Sequence, residues 1–183
     1  MKYLKKMSGY LVYLSPVNPE DFEISAKWMN DREVAENLSV FHRQYSFLKE
    51  KQGLAESALD NYSFAIVRKE DDRLIGFCAF YNVDMTHQRA EFYIYLGEAE
   101  FRKKGFGRDA LLTLLRYGFC VLNFNNIMLR VLSFNEAAFY LYESVGFKII
   151  GRRRESFYKD GTYFDEIYMD MTKKDFIEKG TVI

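Results

Sequence analysis

A short basic segment places two glycines where a predicted strand passes into a predicted helix. Residues 101–110 contain Gly105, Gly107 and four basic side chains, Arg102, Lys103, Lys104 and Arg108. Glycines let the backbone turn tightly and approach a ligand, and the first N–H groups of a helix carry partial positive charge. The segment has neither the dinucleotide fingerprint nor a G-K-[ST] P-loop. It predicts a site for an anion such as a pyrophosphate.

The elements that must position this segment follow from hydrophobic periodicity and turn residues. The predicted strands are 10–14, 62–68, 74–83, 89–96 and 127–132, with a closing hairpin of 147–158 and 163–171. Predicted helices cover 21–38, with a break at Asn30–Asp31, and 47–59, with Ser46 as its cap. One further helix begins near Gly107, and another is capped by Ser133 and Asn135 and ends at Gly146.

The order of these elements predicts the fold class. Three consecutive strands from residue 62 to residue 96 form an antiparallel meander, and the strand, helix, strand succession that follows requires a parallel crossover. We therefore predict an α/β fold with a mixed, mostly antiparallel central sheet flanked by helices. Without a linker, repeat or low-complexity segment, residues 1–183 are expected to form a single domain.

Composition excludes several functional classes. The chain has 183 residues with Lys+Arg 26 and Asp+Glu 26, so the formal charge is zero and offers no general attraction for nucleic acid or an anionic membrane. No apolar run is long enough to span a membrane, and the N-terminus lacks a signal peptide, which predicts a cytoplasmic protein. The 2 histidines and 2 cysteines have no metal-ligand spacing, so we expect no metal and two buried thiols, Cys78 and Cys120.

A second constellation lies downstream of the basic segment. Residues 135–147 read Asn-Glu-Ala-Ala-Phe-Tyr-Leu-Tyr-Glu-Ser-Val-Gly-Phe, after Arg102-x-x-Gly105-x-Gly107 and an intervening strand. The two motifs together closely resemble the GNAT superfamily of acyl-CoA-dependent N-acetyltransferases, over residues 9–176. The resemblance is closest to the branch that contains ribosomal-protein N-terminal, spermidine and amino-sugar acetyltransferases.

The resemblance implies a binding site for acetyl-CoA as the co-substrate. It implies that backbone N–H groups from about Lys103 to Arg108, including Lys104, Gly105, Phe106 and Gly107, hold the pyrophosphate, with Arg102 adding side-chain charge to the same site. It also implies that the backbone near Tyr95 and Leu96 pairs with the pantetheine arm, and that Asn135 contacts the cofactor.

Acetyl transfer to an amine needs an acid for the departing thiolate and a route for the amine proton. Tyr142 matches the tyrosine that the family places beside the coenzyme sulfur, and a phenol can donate that proton. Glu91 is a candidate base acting through a water molecule. We expect the acceptor wall to include Phe41, Tyr45 and Tyr81, with Tyr163 as a further candidate.

The sequence therefore predicts an acetyl-CoA-dependent N-acetyltransferase that acts by direct attack of a primary amine in a ternary complex. The acceptor is a small-molecule or peptide amine: a polyamine, a protein N-terminus and an amino sugar all remain open. A homodimer is possible. The alternative is a non-catalytic module that binds acetyl-CoA as a sensor or for a partner.

Overall fold

The computed structural model of the chain describes residues 2–180, so Met1 and residues 181–183 of the predicted domain lie outside it. Its strands are β1 Met7–Ser8, β2 Val12–Pro16, β3 Ser63–Arg68, β4 Leu74–Asp84, β5 Arg89–Leu96, β6 Asn126–Leu132, β7 Lys148–Lys159 and β8 Thr162–Thr172. Its α-helices are α1 Phe22–Asn30, α2 Arg32–Asn37, α3 Phe47–Leu59, α4 Phe106–Arg116, α5 Glu136–Val145 and α6 Lys173–Glu178.

The eight strands form one mixed, mostly antiparallel sheet, which confirms the predicted fold class. The chain divides into two compact units: unit 1 comprises Met1–Phe80 and Tyr93–Leu114, and unit 2 comprises Tyr81–Phe92 and Leu115–Ile183. Strands β4 and β5 each contribute residues to both units. That the whole chain acts as a single domain stays a prediction.

Unit 1 contains the antiparallel order β1-β2-β3-β4, whose inner face packs against α1 and α3. Trp28 on α1 is the largest side chain in its core and meets Phe77 edge to face, with ring centroids 6.1 Å apart. The indole Nε1 of Trp28 donates to Glu98 Oε1 at 3.1 Å, so the one polar atom of this buried ring is satisfied.

Unit 2 contains the order β5-β6-β8-β7. Strand β6 pairs antiparallel with β8 along the whole length of β6, whereas β5 and β6 pair in parallel at only three positions, from Arg89↔Asn126 to Glu91↔Met128. The predicted parallel crossover is therefore confirmed. The β7–β8 hairpin closes at Asp160–Gly161, where both residues have positive φ, as a tight two-residue hairpin turn requires.

The break at Asn30–Asp31 and the caps Ser46 and Asn135 are confirmed, whereas Ser133 does not cap α5, because its Oγ accepts the backbone N–H of Asp165 at 3.1 Å. The side chain of Asp31 accepts from Val34 N and begins α2 after the break, and Ser46 and Asn135 cap α3 and α5 in the same way. Gly146 ends α5 at φ 118°, a conformation that favours glycine.

Three local features differ from the prediction. The charged tail contains α6, and β1 was not predicted. Cys120, expected to be a buried thiol, is exposed, while Cys78 is buried as predicted. Cys120 lies in the π-helical turn Tyr117–Val121, whose buried residues are Gly118 and Phe119, and the lack of metal-ligand spacing carried no information on which side of the helix the thiol lies.

One carboxylate anchors the first turn of α4 to the start of β2. The Asp109 oxygens accept the backbone N–H groups of Tyr10 at 2.9 Å, Leu11 at 2.8 Å and Val12 at 2.9 Å. Gly9 makes this approach possible, because a Cβ there would lie 2.4 Å from Asp109 Oδ2. The position of the basic glycine segment before α4 therefore depends on a contact almost 100 residues away in sequence.

We expect Asp109→Asn to lower the free energy of unfolding by about 1–3 kcal/mol, because the amide loses the charge and turns an N–H group toward the backbone donors. Urea unfolding followed by circular dichroism measures this change. The control is Glu136→Gln, which alters an exposed acid in the first turn of α5 and should have little effect. Equal midpoints for the two variants would contradict the anchoring role.

Candidate active site

The predicted anion-binding segment lies in unit 1 as a loop before α4. Lys103 and Gly105 both have positive φ, 59° and 88°, and α4 begins directly afterwards at Phe106. Left-handed residues alternating with ordinary ones turn successive N–H groups toward one side, which forms a concave anion site. The loop and the first turn of α4 therefore provide backbone donors of the kind a pyrophosphate needs.

Gly107 is not required by the protein's own packing. A Cβ at this position would meet only Leu96 Cδ1, at 3.7 Å, which is an ordinary contact, and φ at Gly107 is not in the left-handed region. The glycine instead keeps the surface at the start of α4 free of side-chain atoms. This fits a loop that a ligand approaches closely, and it places Leu96 beside that surface.

The four basic side chains of the loop differ in whether the protein itself forms an ion pair with them. Arg102 forms an ion pair with Glu33 and donates to the Gly97 carbonyl oxygen at 3.4 Å. Lys103, Lys104 and Arg108 are exposed and form no ion pair with any residue between 2 and 180. These three cations are therefore available to an anionic ligand, whereas Arg102 is held by the protein.

Tyr142 lies on α5 in unit 2 and is 8% exposed. Its ring packs edge to face against Phe92, with centroids 5.7 Å apart, and against Phe147, with centroids 6.0 Å apart. Burial, and to a smaller degree the charge of Tyr81, raises the pKa of Tyr142 above its ordinary value. The phenol therefore stays protonated near neutral pH.

The hydroxyl of Tyr142 makes no hydrogen bond within the part of the chain that the structure describes. The hydroxyl oxygen is nevertheless accessible to solvent. Among those residues, the one side-chain polar atom that is fully buried and has no hydrogen-bond partner is Arg116 Nε, not the oxygen of Tyr142. A protonated phenol on a fixed ring with an unused O–H is suited to giving a proton to a ligand.

Glu91 lies at the last pair of the β5–β6 ladder, also in unit 2. Tyr81 donates its hydroxyl to Glu91 Oε2 at 3.0 Å, and Asn82 Nδ2 donates to Glu91 Oε1 at 2.9 Å. Burial first, and then the Glu91 carboxylate, raises the pKa of Tyr81 to about 12. The structure thus brings together two residues that the sequence assigned to different roles, the base and the acceptor wall.

Asn135 is first of all the cap of α5. Its Oδ1 accepts the backbone N–H of Ala138 at 3.2 Å, and among the described residues nothing accepts from its Nδ2. The amide nitrogen is therefore free to contact a ligand while the oxygen maintains the helix.

The other predicted acceptor residues belong to different units, and each is described within its own unit. In unit 1, Phe41 is exposed beneath the guanidinium of Arg32, and Tyr45 is half-buried and linked to α1 through Asn30. In unit 2, Tyr163 is 61% exposed and packs against Tyr158 on the hairpin surface. Its position is that of a hairpin cross-strand pair.

Sequence reasoning missed a buried polar pair between α1 and α3. Ser25 on α1 donates to Glu50 Oε2 on α3 at 2.5 Å, and both residues are buried. The available signal was the position of Glu50 one helical turn before the buried Leu54, on the apolar face of α3. A carboxylate on that face needs an explanation, which the sequence alone did not supply.

Residues 2–180 contain neither a cluster of metal ligands nor a membrane-spanning helix. No group of three or more His, Cys, Asp or Glu side chains there could hold a metal ion. None of the helices described is both long and apolar enough to cross a bilayer.

Comparison with known proteins matches this arrangement to one family. The model of the acetyltransferase (GNAT) domain matches residues 14–168. An uncharacterised N-acetyltransferase of Bacillus subtilis (strain 168) is 27% identical over 92% of this chain and 94% of its own, and spermidine N(1)-acetyltransferase of Escherichia coli (strain K12) is 28% identical over 88% and 86%.

A solved structure gives the same result. The crystal structure of Vibrio cholerae spermidine N-acetyltransferase in complex with CoA and spermine is 26% identical, covers 91% of this chain and 98% of that one, and superimposes with a TM-score of 0.82. The mixed sheet flanked by helices in this chain is thus a known architecture. The chain is a member of the GNAT acetyltransferase family.

Proposed function

We propose that this chain transfers the acetyl group of acetyl-CoA directly to a primary amine in a ternary complex. The observation that carries the proposal is the glycine loop, where Gly107 serves no packing or backbone requirement of the fold. In a GNAT domain, a loop kept open in this way is expected to receive the pyrophosphate of the co-substrate.

Binding of acetyl-CoA is assigned to specific groups of this chain. Backbone N–H groups between Lys103 and Arg108 donate to the pyrophosphate, and the exposed cations Lys103, Lys104 and Arg108 add charge to the loop. Arg102 contributes by holding the loop through Glu33 rather than by binding phosphate. The free Nδ2 of Asn135 and the backbone at Tyr95 and Leu96 supply further contacts.

Each chemical step is assigned to one residue. Acetyl-CoA supplies the acetyl group as a thioester. The Tyr142 hydroxyl gives its proton to the departing thiolate, because its raised pKa keeps it protonated until that moment. Glu91, held as a carboxylate acceptor by Tyr81 and Asn82, receives the proton of the attacking amine through a water molecule.

The chemical class of the amine acceptor is proposed from the relatives rather than from residues of the site. The spermidine acetyltransferases among the relatives support an aliphatic amine, whereas a protein N-terminus and an amino sugar stay open. The test is release of free CoA thiol with spermidine, spermine, amino sugars and short peptides with free N-termini. Turnover with one class supports the proposal, and tight acetyl-CoA binding without turnover on any class would favour the non-catalytic module.

We expect Tyr142→Phe to lower kcat by about 100-fold or more while KM for both substrates changes little, because the variant loses only the proton donor. Thiol release measured from pH 6 to pH 10 tests this. Since the pKa of Tyr142 lies above its ordinary value of about 10, the wild-type rate should not fall through loss of this proton below about pH 10. Unchanged turnover in the variant would remove Tyr142 as the acid.

We expect Gly107→Leu to weaken acetyl-CoA binding by about tenfold or more without lowering the melting temperature, because leucine favours a helix while its side chain covers the open loop. Calorimetric titration with CoA and a thermal melt make the two measurements. The control is Gly53→Leu in α3, where a Cβ would meet nothing within 4 Å. Wild-type affinity in Gly107→Leu would contradict the assignment of the loop.

A further inference from the structure

The sheet of unit 2 has one apolar face and one polar face. Side chains at alternate positions of a strand share a face, and paired residues of neighbouring strands lie side by side on it. Every second residue of β6 from Ile127 to Val131 is buried, so the residues between them belong to the other face. Glu91 of β5 pairs with Met128 of β6, and Arg130 follows Met128 by two positions. Glu91 and Arg130 therefore lie on the same polar face.

A buried carboxylate on this polar face holds two arginines. Glu166 of β8 pairs with Leu132 of β6 on one side and with Arg153 of β7 on the other. Arg130 Nη1 donates to Glu166 Oε1 at 3.1 Å, and Arg153 Nη1 lies 3.7 Å from Glu166 Oε2. The Ser156 hydroxyl donates to the same Oε2 at 3.2 Å. The protein's own groups thus compensate this buried charge and fix both guanidinium groups above it.

The two arginines are open to solvent, whereas their carboxylate is not. The side chain of Arg130 is 51% exposed and that of Arg153 is 69% exposed, against 8% for Glu166. Two guanidinium groups have more N–H donors than one shared carboxylate can accept, and two cations on one carboxylate leave an excess of positive charge. The surface that a ligand meets here is therefore positive, with its counter-ion buried beneath it.

The acids of the polar face lie in a different row from the arginines. Met128 pairs with Glu91 on one side and with Asp170 of β8 on the other. The Cα atoms of Glu91 and Arg130 are about 8 Å apart, since neighbouring strands are about 4.8 Å apart and two residues along a strand add about 6.6 Å. The face is thus negative at the proposed base and positive a short distance away. This pattern complements a ligand with an amine at one end and an anionic group at the other.

We propose that Arg130 and Arg153, held in place by Glu166, bind an anionic group of the acceptor, so that the acceptor is a primary amine that also carries a carboxylate or a phosphate. Arginine suits either anion, because its planar fork of N–H groups matches the oxygens of both. The inference rests on the proposed function, since the amine must come close to Glu91, and it narrows the acceptor class. A second ammonium group in place of the anion would meet two cations and is disfavoured.

The test uses two matched pairs of amines, in each of which one member lacks the anionic group. γ-Aminobutyrate is compared with putrescine, and O-phosphoethanolamine with ethanolamine, by steady-state thiol release and by calorimetric titration of the CoA-bound chain. In the wild type, kcat/KM should be about tenfold or more higher for the anionic member of at least one pair, because hydrogen bonds between two charged groups are strong. The pair that shows the preference distinguishes a carboxylate from a phosphate.

Arg130→Gln and Arg153→Gln should each reduce this preference about tenfold, through a higher KM and Kd for the anionic amine, with CoA affinity unchanged. Arg153→Gln loses only an ion pair at 3.7 Å, and a thermal melt checks that each variant is folded. The control is Arg152→Gln, which should keep the preference. Arg152 is the neighbour of Arg153 on β7, but it lies opposite Ile167 on the other face, where it donates to Asp165 at 3.0 Å.

The outcomes separate this inference from the proposed function. Turnover without a preference for the anionic amines, or with a preference that both arginine variants retain, would overturn the inference and leave the activity standing. An equal loss in Arg152→Gln would show a general effect of surface charge and also overturn it. Binding of an anionic amine that depends on Arg153, without turnover, would support the site and contradict the activity. Absence of both binding and turnover with every probe would overturn the inference.

Discussion

The Asp109 carboxylate makes the contact on which the position of the glycine loop depends. By accepting three consecutive backbone N–H groups, from Tyr10 to Val12, it holds the first turn of α4 against the start of β2. The glycine loop lies immediately before that turn, so its left-handed residues and its free N–H groups are positioned by a contact distant in sequence. The Arg102–Glu33 pair holds the other end of the loop.

The chemical groups of unit 2 depend on a different constraint, the short parallel ladder of β5 and β6. Its three pairs end at Glu91, whose carboxylate is then held by Tyr81 and Asn82 from the preceding strand. Tyr142 is fixed by packing alone, between Phe92 and Phe147, which leaves its hydroxyl for a ligand. In the proposed reaction, Glu91 accepts a proton and Tyr142 donates one.

Local signals in the sequence predicted the features that local physics determines. The caps Ser46 and Asn135, the stop at Gly146 and the glycine loop each depend on a few neighbouring residues, and each was placed correctly. The predicted roles of Tyr142, Glu91 and the loop remain proposals.

Features that depend on distant contacts or on departures from regular geometry were not predicted. The Ser25–Glu50 bond joins two helices, and the Arg102–Glu33 pair removes a cation that the motif alone would assign to phosphate. Cys120 was predicted to be buried from its lack of metal-ligand spacing, which carries no information on the side of the helix that a residue occupies. Pairing between distant residues is set by tertiary packing, on which short-range patterns carry little information.

The central claim is direct transfer in a ternary complex, and initial-rate kinetics with both substrates varied test it most directly. Burial raises the pKa of the Cys78 thiol, which makes it a poor nucleophile for a covalent route. We therefore predict intersecting double-reciprocal lines for acetyl-CoA and the amine, with no acetylated chain in the intact mass after incubation with acetyl-CoA alone. Parallel lines together with an acetylated chain would contradict the account.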